Sequence, residues 1–587
     1  MRYPTNRFTI IDTSRFPYCR VRSLSRLWRG AISCFIFFGL AGSWFSPVDA
    51  KPLTSEKSSV SDKIITSINP DSVLVRFPDD DLYTRHKPES ETGLVVDFRK
   101  SRFSNKISLE GLDIKNTNGR DGFSPAGPVL FEVAAHPDKG SLPARGGGGR
   151  ANPVKIYNMA TGEEVKTSVT SVQAADDVSI LYIYPERKFA SGRHVALITK
   201  DLKSGGVPVK TSPFMDVNSN RSDVVAFLSE RGIPVDNLID LKTFTVASKD
   251  AYLQPVNSIV NKIQSSVPTF CGGSNESEML AEIATMHTEK SLRYHKATGK
   301  LAFRKFFNKK NGWLISEHKT RCNCVQFSVF YPRFYKESGP VLLFGHPLNG
   351  SIDNSMKYIY PALKKGYAVI GIDLPYHGNR GSLSINLKSI LYLFNQGAAD
   401  MLSLSHALGT TLSSLDLFPE NGKADFDQQR VSYLGISLGA IVGQLAVARG
   451  NVKSAYFKTG GVNIGQMFTL GADLGFFRRL IVPEAFNKPK EAIFLAMMQD
   501  GFVLDGIHYM DNITPHSQGP KRIGFEIMHN DDVIDSRSAL ALKRLLKKNP
   551  ATTVELETYP FRNLKSHAEA TASMKFYPAW LMKQSTR

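Results

Sequence analysis

The feature that most constrains the fold of this chain is a serine with a glycine two residues to either side, in the stretch 435–439, Gly-Ile-Ser-Leu-Gly. The apolar run 431–434 before it predicts a buried strand, and the apolar run 440–448 after it predicts a helix. A sharp turn between the two brings backbone against backbone, so glycine is required on both sides. We therefore expect the Ser437 hydroxyl at the carboxyl end of a sheet, above a helix N-terminus. The alternative is an ordinary strand-to-helix turn.

A serine hydroxyl becomes a useful nucleophile only when a base and an orienting acid accompany it. His567 follows an alternating, strand-like run near the C-terminus and is the expected base. Asp532 follows the apolar run 522–528 and is the expected acid, with Asp531 and Asp535 as alternatives in the same loop. The order serine, acid, histidine is the order used by hydrolases with this type of turn.

Negative charge that develops on a substrate oxygen needs two preorganised N–H donors. We assign them to Leu438, directly after the serine, and to Leu348, in the loop after the apolar run 340–344. Pro347 has no N–H and cannot serve. His377 could be mistaken for the base, but it precedes the serine and lies beside turn glycines, so we interpret it as structural.

From about Gln326 to its end, the chain resembles the α/β-hydrolase superfamily in its serine motif, donor loop, glycine-rich turn, acid loop and histidine, in that order. The resemblance implies a mostly parallel sheet with helices on both faces. It also implies that Ser437, His567 and Asp532 hydrolyse carboxylic esters without a metal or a cofactor. One departure is Pro347, because similar secreted bacterial lipases carry glycine at this position.

The N-terminal half has a different pattern. Short β-rich runs such as 128–133 and 179–184 are separated by turn clusters, which favours a β-sandwich. Segments including 76–83 and 191–197 resemble the N-terminal domain of bacterial virulence-factor lipases. The glycine run 146–149 is interpreted as a linker rather than a phosphate loop. The predicted organisation is a signal peptide at 1–50, a β-rich domain at 65–255, a connecting segment at 256–325 and an α/β-hydrolase domain at 326–587.

The first fifty residues predict export. An arginine-rich stretch to Arg29 precedes the apolar run 31–42, and Val48-Asp49-Ala50 resembles a signal-peptidase site. The apolar run is too short for a permanent membrane anchor, although an uncleaved anchor is the alternative. We therefore expect a secreted, periplasmic or cell-envelope protein.

Charge and cysteine content limit the partners and the site types. The net charge is +19, and it falls to +14 without the seven arginines and two aspartates of residues 1–50. A basic surface favours transient contact with anionic membranes, whereas scattered charge and the lack of a motif argue against nucleic acid. Cys271, Cys322 and Cys324 permit one disulfide, from Cys271 to either of the others, and are too sparse for a zinc site.

The region 466–504 is rich in Met and Phe, which fits either a cap that lines an acyl pocket or ordinary helix core. We expect the chain to be a hydrolase of lipid or acyl esters that prefers medium or long chains to acetate, since each buried methylene contributes about 0.8 kcal/mol. The alternatives are a peptidase or another acyl hydrolase on the same triad, or a non-catalytic surface or adhesion protein with a vestigial triad.

Overall fold

The structure is a computed structural model, and the residues that it describes form one compact unit. The predicted signal peptide at 1–50 and the glycine run at 146–149 lie outside the described residues. The described ranges are 76–98, 119–143, 152–212, 215, 221–271, 284–285, 294–315, 320–336, 338–418, 421–471, 474–484, 486–528, 531–559, 566–573 and 576–585.

The strands are distributed over the whole length of the chain. They are β1 (Arg76–Phe77), β2 (Thr84–His86), β3 (Leu94–Val96), β4 (Val129–Val133), β5 (Val154–Asn158), β6 (Thr167–Ala175), β7 (Val178–Pro185), β8 (Gly192–Thr199), β9 (Lys203–Ser204), β10 (Val207–Pro208), β11 (Leu238–Val246), β12 (Thr269–Phe270), β13 (Ala284–Thr285), β14 (Tyr294–Lys305), β15 (Arg321–Pro332), β16 (Gly339–Gly345), β17 (Ala368–Ile372), β18 (Phe426–Ile436), β19 (Ser454–Lys458), β20 (Lys521–Met528) and β21 (Thr552–Tyr559).

Most of the helices lie in the second half of the chain. They are α1 (Asp80–Tyr83), α2 (Ser222–Ser229), α3 (Lys249–Gln264), α4 (Met356–Lys364), α5 (Leu387–Leu408), α6 (Leu438–Val442), α7 (Gln444–Arg449), α8 (Ile464–Leu470), α9 (Leu474–Ile481), α10 (Lys488–Met498), α11 (Ser536–Lys547), α12 (His567–Ala572) and α13 (Tyr577–Ser585), with 3₁₀ turns at Val235–Asn237, Asp353–Ser355, Gly378–Arg380, Gln499–Gly501 and Gly506–His508.

A ten-stranded mixed sheet forms the centre of the C-terminal half. Strands β17, β16, β18, β19, β20 and β21 are neighbours in this order and run parallel. Strand β15 is antiparallel to β17, and β14 pairs antiparallel with β15. Because β18 lies in the middle of the parallel part, its carboxyl end, where Ser437 follows, has strands on both sides.

The segment 256–325 differs from its predicted role as a connection. It contains β12, β13, β14 and the start of β15, all of which belong to the large sheet. Helix α3 also runs across the predicted domain boundary, with Pro255 inside it. Strand β14 and the first four residues of β15 are polar or partly exposed, so they lack the apolar runs that mark the core strands, whereas the second half of β15 is apolar and buried.

A disulfide cross-links the strands at one edge of this sheet. It joins Cys271, just after β12, to Cys324 on β15, which resolves the two pairings that the sequence left open. Cys322 lies two residues earlier on the same strand and is an exposed free thiol. The bond therefore spans β14, which pairs with both β12 and β15.

The N-terminal half contains two antiparallel sheets, one of four strands in the order β1-β4-β7-β6 and one of three in the order β11-β8-β5. Strands β4 and β7 coincide with the predicted runs 128–133 and 179–184. Apolar residues of both sheets, such as Phe131 and Phe244, belong to one core cluster. On its other face, the three-stranded sheet packs against α2 through Phe227 and Leu228.

The same core cluster extends into the C-terminal half. It includes Leu391 of α5, Phe468 of α8 and Met497 of α10 together with the strand residues of the N-terminal sheets. The β-rich region therefore packs on α5 and on the helices between β19 and β20. Within the described part of the chain, no helix has both the length and the apolar character to cross a membrane.

Candidate active site

Ser437 occupies a strained turn between β18 and α6. Its φ of 52° and ψ of −113° lie outside the usual regions for a residue with a side chain. The Ser437 N–H donates to the Lys458 carbonyl at 2.9 Å, which ties the turn to β19. A Cβ atom on Gly435 would lie 2.6 Å from the Gly439 carbonyl oxygen, and one on Gly439 would collide with the Gly345 backbone. The predicted strand, turn and helix, and the reason for the two glycines, are confirmed.

His567 contacts this serine although the two residues lie far apart in the sequence. It is the first residue of α12, which Ser566 caps by accepting the Glu569 N–H. The His567 Nε2 atom lies 2.7 Å from Ser437 Oγ. Both side chains are almost fully buried, at 7% exposure each, so water competes little for this hydrogen bond.

Asp531, one of the two alternatives named for the acid, contacts the His567 ring, whereas the expected Asp532 does not. Both Asp531 oxygens lie against His567 Nδ1, at 2.9 and 2.8 Å. Asp532 instead accepts the backbone N–H of His567 at 2.7 Å. Asp535, the third aspartate of the loop, caps α11 and pairs with Arg537 at 2.7 Å.

The Asp531 carboxylate is itself held in place, because it accepts the N–H groups of Val533 and Ile534 at 2.9 and 2.7 Å. A carboxylate accepts hydrogen bonds only, so the imidazole must carry its proton on Nδ1. The unprotonated Nε2 can then accept the Ser437 hydroxyl proton. This arrangement can activate a nucleophile and later return the proton to a leaving group.

Leu348 and Leu438, the expected donors to a developing oxyanion, both line the same cavity as Ser437. The first N–H groups of α6 lack intrahelical acceptors, which leaves Leu438 N–H available for this role. The Gly345 backbone lies directly against Gly439, which brings the loop after β16 beside the turn. The donor role of the two leucines stays a prediction.

A buried histidine holds the loop that carries Leu348. The His346 Nδ1 donates to the Pro347 carbonyl at 2.8 Å, and its Nε2 accepts the Leu374 N–H at 2.9 Å. Burial lowers the pKa of His346 to about 3, so the ring is neutral and can make both bonds. The Pro347 carbonyl also accepts the Gly350 N–H at 3.0 Å, which shows how the loop accommodates proline.

His377 stabilises the turn in which it lies. It is buried, its Nδ1 donates to the Pro375 carbonyl at 2.9 Å, and its ring lies 5.1 Å from that of His346. Its structural interpretation agrees with these contacts.

A small apolar cavity of about 60 Å³ opens beside the Ser437 hydroxyl. Met467 and Phe468, in the Met- and Phe-rich region of the sequence, line it. Helix α5 also contributes, which the sequence analysis does not predict although its long apolar run is a signal. Met467 and Phe468 belong to the same core cluster as Phe494 and Met497 and line the cavity as well, so the choice between cap and core stays open. The cavity is lined by Leu348, Leu383, Ile390, Leu393, Phe394, Ser437, Leu438, Ile441, Met467, Phe468, Val533 and Ile534.

A fully buried ion pair lies on the strands next to the turn. Lys458 Nζ contacts Glu526 at 2.6 Å, and the Tyr456 hydroxyl donates to the same carboxylate at 2.5 Å. Burial lowers the pKa of Lys458, and Glu526 opposes that shift. Since the Lys458 carbonyl accepts the Ser437 N–H, this pair fixes the end of β19 to which the Ser437 turn is hydrogen-bonded. The described residues contain no group of histidine, cysteine and acidic side chains that could hold a metal ion.

No known family model matches the chain, and no curated protein sequence matches it. Among solved structures, an acetyl xylan esterase from a Thermoanaerobacterium species aligns with a TM-score of 0.37 and 12% identity, over 57% of this chain and 92% of the other. An esterase from Pyrococcus furiosus aligns at 0.32 and 14%, over 55% and 99%. An acylaminoacyl peptidase from Pyrococcus horikoshii aligns at 0.32 and 13%, over 49% and 41%. These values describe a partial likeness in fold and say nothing about activity.

Proposed function

We propose that this protein is a secreted serine hydrolase that cleaves carboxylic esters on an α/β-hydrolase fold. The observation that carries the proposal is the continuous path from Asp531 through His567 to Ser437, with hydrogen bonds of 2.8 and 2.7 Å. Strain at Ser437 adds to it, because a residue is held at φ 52° only where the surrounding structure imposes it.

In this reaction, the Ser437 Oγ attacks the ester carbonyl carbon as His567 Nε2 takes the hydroxyl proton. The N–H groups of Leu438 and Leu348 stabilise the oxyanion. The tetrahedral species collapses when His567 returns the proton to the departing alcohol, which leaves an acyl-serine. Water, activated by the same histidine, then releases the acid. Asp531 keeps the imidazole in the required tautomer throughout.

The sheet order supports the fold assignment. The nucleophile follows a central parallel strand, the acid follows β20, and the histidine follows β21, which gives the chain order serine, acid, histidine of this fold. Export is supported by the charged and apolar pattern of residues 1–50 alone.

The cavity beside Ser437 favours a short apolar acyl group. A volume of about 60 Å³ holds on the order of four to five water-sized groups. The lining is almost wholly aliphatic and aromatic, so a charged or amide-rich acyl group would lose its hydration without replacement. Chains longer than this require Phe394 or Phe468 to move. The proposal therefore departs from the medium or long chains expected from the sequence and takes acyl chains near butyrate.

A substrate panel tests the proposed reaction. The wild-type protein should hydrolyse p-nitrophenyl and glycerol esters but not a peptide panel. Ser437→Ala should abolish this hydrolysis, because the hydroxyl forms the new bond. Ser517→Ala, which removes an exposed serine hydroxyl that contacts Gln429, is the matched control and should keep full activity. Preferential cleavage of peptides would favour the peptidase alternative, and hydrolysis by Ser437→Ala would reject the assigned nucleophile.

Chain-length dependence tests the acyl pocket. We expect kcat/KM for p-nitrophenyl esters to rise from acetate to butyrate by about 10-fold, at roughly 0.8 kcal/mol for each methylene, and then to fall for long chains. Phe468→Ala should move the maximum to longer chains, since it enlarges the cavity. A profile that falls steadily from acetate, unchanged in this variant, would reject the pocket and leave the triad in place.

A further inference from the structure

Strand β6 forms a long edge of the four-stranded sheet in the N-terminal half. It pairs with β7 on its inner side, and no described strand pairs with its outer side. The chain just before it is bound to β5, since the Val165 N–H donates to the Ile156 carbonyl at 2.8 Å. The outer edge without a partner strand therefore begins at Thr167 and follows the nine residues of β6.

The backbone groups that this edge presents follow from the pairing on its inner side. The Lys166 carbonyl accepts the Glu186 N–H at 2.8 Å, so the even-numbered residues direct their N–H and C=O groups to β7. The groups of the odd-numbered residues then point away from β7. Among the described residues, no hydrogen bond is formed by the backbone of Thr167, Val169, Ser171 or Gln173 on this outer side.

The other long sheet edge in this half of the molecule is protected. Strand β11 is the edge of the three-stranded sheet, and side chains satisfy its outward backbone groups. The Thr245 N–H donates to the Asp80 carboxylate at 2.9 Å, and Arg76 donates to the Leu241 carbonyl at 2.7 Å. Folded proteins protect sheet edges because an unprotected edge pairs with another chain. The outer edge of β6 lacks this protection and is a candidate pairing surface.

The sequence of β6 contains few of the features that prevent pairing. Residues 167–175 include no charged residue and no proline, and threonine, serine and valine form favourable cross-strand pairs. A bulge lies between Gln173 and Ala175, at the end of the strand, and leaves residues 167–173 regular. Arg537 donates to Thr170 Oγ1 at 2.8 Å but is already paired with Asp535, so it brings no net charge to the strand.

Charged residues lie at the two ends of β6 and have opposite signs. Lys166 precedes the strand, Asp176 and Asp177 follow it, and all three are exposed. None of them forms an ion pair with another described residue. In an antiparallel pairing of two copies about Ser171, Lys166 of each copy lies opposite Asp176 of the other, or Asp177 where the bulge shifts the pairing by one residue. The two-fold symmetry of such a pairing forms this contact twice.

We propose that the outer edge of β6 is a dimerisation surface, which pairs antiparallel with β6 of a second copy of this chain. The four-stranded sheets of the two copies become one continuous sheet, in which the odd-numbered residues of β6 exchange backbone hydrogen bonds. The opposite charges at its ends make the edge complementary to itself, which favours a second copy over an unrelated strand. The proposal does not rest on ester hydrolysis.

Sedimentation velocity of the wild-type protein at a series of concentrations tests whether the dimer forms. A contact through one strand edge is smaller than a standard protein–protein interface, so we expect a Kd on the order of 10⁻⁵ M. A protein that stays monomeric at about 10⁻³ M overturns the proposal.

Hydrogen exchange locates the contact. The N–H groups of Val169 and Ser171 should exchange about tenfold more slowly when the protein is concentrated enough to dimerise. Those of Thr170 and Val172, which are directed to β7, should exchange at the same rate at every concentration. A dimer that leaves Val169 and Ser171 unprotected overturns the proposal. Slow exchange of these two groups in the monomer also overturns it, because the chain would then cover its own edge.

A change at the centre of the edge should have the largest effect. Ser171→Pro removes an outward N–H without removing a hydrogen bond to β7, and it should weaken the dimer by at least about 30-fold. Ser171→Ala keeps the N–H and is the matched control, which should dimerise like the wild type. A Ser171→Pro variant that keeps the wild-type Kd overturns the proposal.

Charge reversal tests the antiparallel register with variants that leave β6 itself unchanged. Lys166→Glu and Asp176→Lys should each weaken the dimer by about tenfold, because each places like charges opposite one another at both ends. The double variant should restore the wild-type Kd. Lys200→Glu, at an exposed position after β8, is the control for the charge change and should have no effect. A double variant that dimerises no better than the single variants overturns the proposed pairing.

Discussion

Two buried networks of charged groups, one in each half of the molecule, have different functions. In the N-terminal half, Arg76 lies between Asp79 at 3.0 Å and Asp240 at 2.6 Å and donates to the Leu241 carbonyl at 2.7 Å. The nearby Lys242 ammonium donates to two backbone carbonyls. The charged groups of this network pair with one another and with backbone carbonyls. The network can therefore hold the strands together, but it presents no group to a substrate.

In the C-terminal half, the buried network ends differently. Asp531 and His567 lead to the Ser437 hydroxyl, which opens onto an apolar cavity. Burial and charge therefore do not identify a reactive site by themselves. The reactive site is distinguished by a chain of hydrogen bonds that ends on a strained residue beside a cavity.

The largest loss of activity that we expect from an isosteric substitution is at Asp531. Asp531→Asn should lower kcat/KM for p-nitrophenyl butyrate by on the order of 10³–10⁴-fold, because asparagine cannot hold the imidazole in the same tautomer. Asp532→Asn is the matched control and should cost less than about tenfold, since its amide oxygen can still accept the His567 N–H. Steady-state kinetics measure both. A larger loss in the Asp532 variant would reassign the acid.

The choice between these two aspartates is the part of the site that could not be predicted from the sequence. The strand before the loop, the loop itself and the histidine were all predicted, because apolar runs and chain order signal them. Side-chain direction in a loop has no periodicity, so the choice between Asp531 and Asp532 depended on contacts with His567, which the chain reaches only 35 residues later.

The corresponding change in the N-terminal network should affect stability and not chemistry. Arg76→Met removes the cation and leaves Asp79 and Asp240 buried without it, which should cost about 3–5 kcal/mol of unfolding free energy. The kcat of the protein that remains folded should stay at the wild-type value. Urea unfolding together with active-site titration measures the two quantities separately.

An exposed ion pair provides the control for that variant. Lys583 lies 3.1 Å from Glu555 with its side chain 58% exposed, and Lys583→Met should change stability by less than about 1 kcal/mol. If Arg76→Met lowered kcat without lowering stability, the division between a structural and a catalytic network would be wrong.

The smallest effect concerns pH and tests whether the two halves respond together. Burial lowers the pKa of His194, in the N-terminal half, from 6.5 to about 4, and that of His346, in the C-terminal half, to about 3. Between pH 6.5 and about 4 the unfolded chain binds protons that the folded chain does not. Stability should therefore be full above 6.5 and fall on acidification, by about 1 kcal/mol per pH unit for each such histidine.

His194→Phe should flatten this pH dependence by about that amount, because His194 already stacks on Phe244 at 5.2 Å and phenylalanine cannot take up the proton. Chemical denaturation at several pH values, followed by fluorescence and by residual ester hydrolysis, measures it. If only one of the two signals shifted, the halves would unfold independently despite their common core.

The fold was predictable where burial is continuous and less so where it is not. The core strands β16, β18 and β20 contain the apolar runs 340–344, 431–434 and 522–528, which identify them. Strand β14 and the start of β15 do not contain such runs, because residues such as Lys300, Arg321 and Asn323 are exposed along a hairpin that only tertiary pairing reveals. This is why the segment 256–325 was predicted as a connection.

The most direct test of the central claim is the site and extent of reaction with a fluorophosphonate. The wild-type protein should be labelled once per chain, peptide mapping should place the label on Ser437, and the rate should fall together with ester hydrolysis in Asp531→Asn. Ser437→Ala should remain unlabelled while keeping its wild-type unfolding transition. An unlabelled wild-type protein, or a label on another serine, would contradict the account.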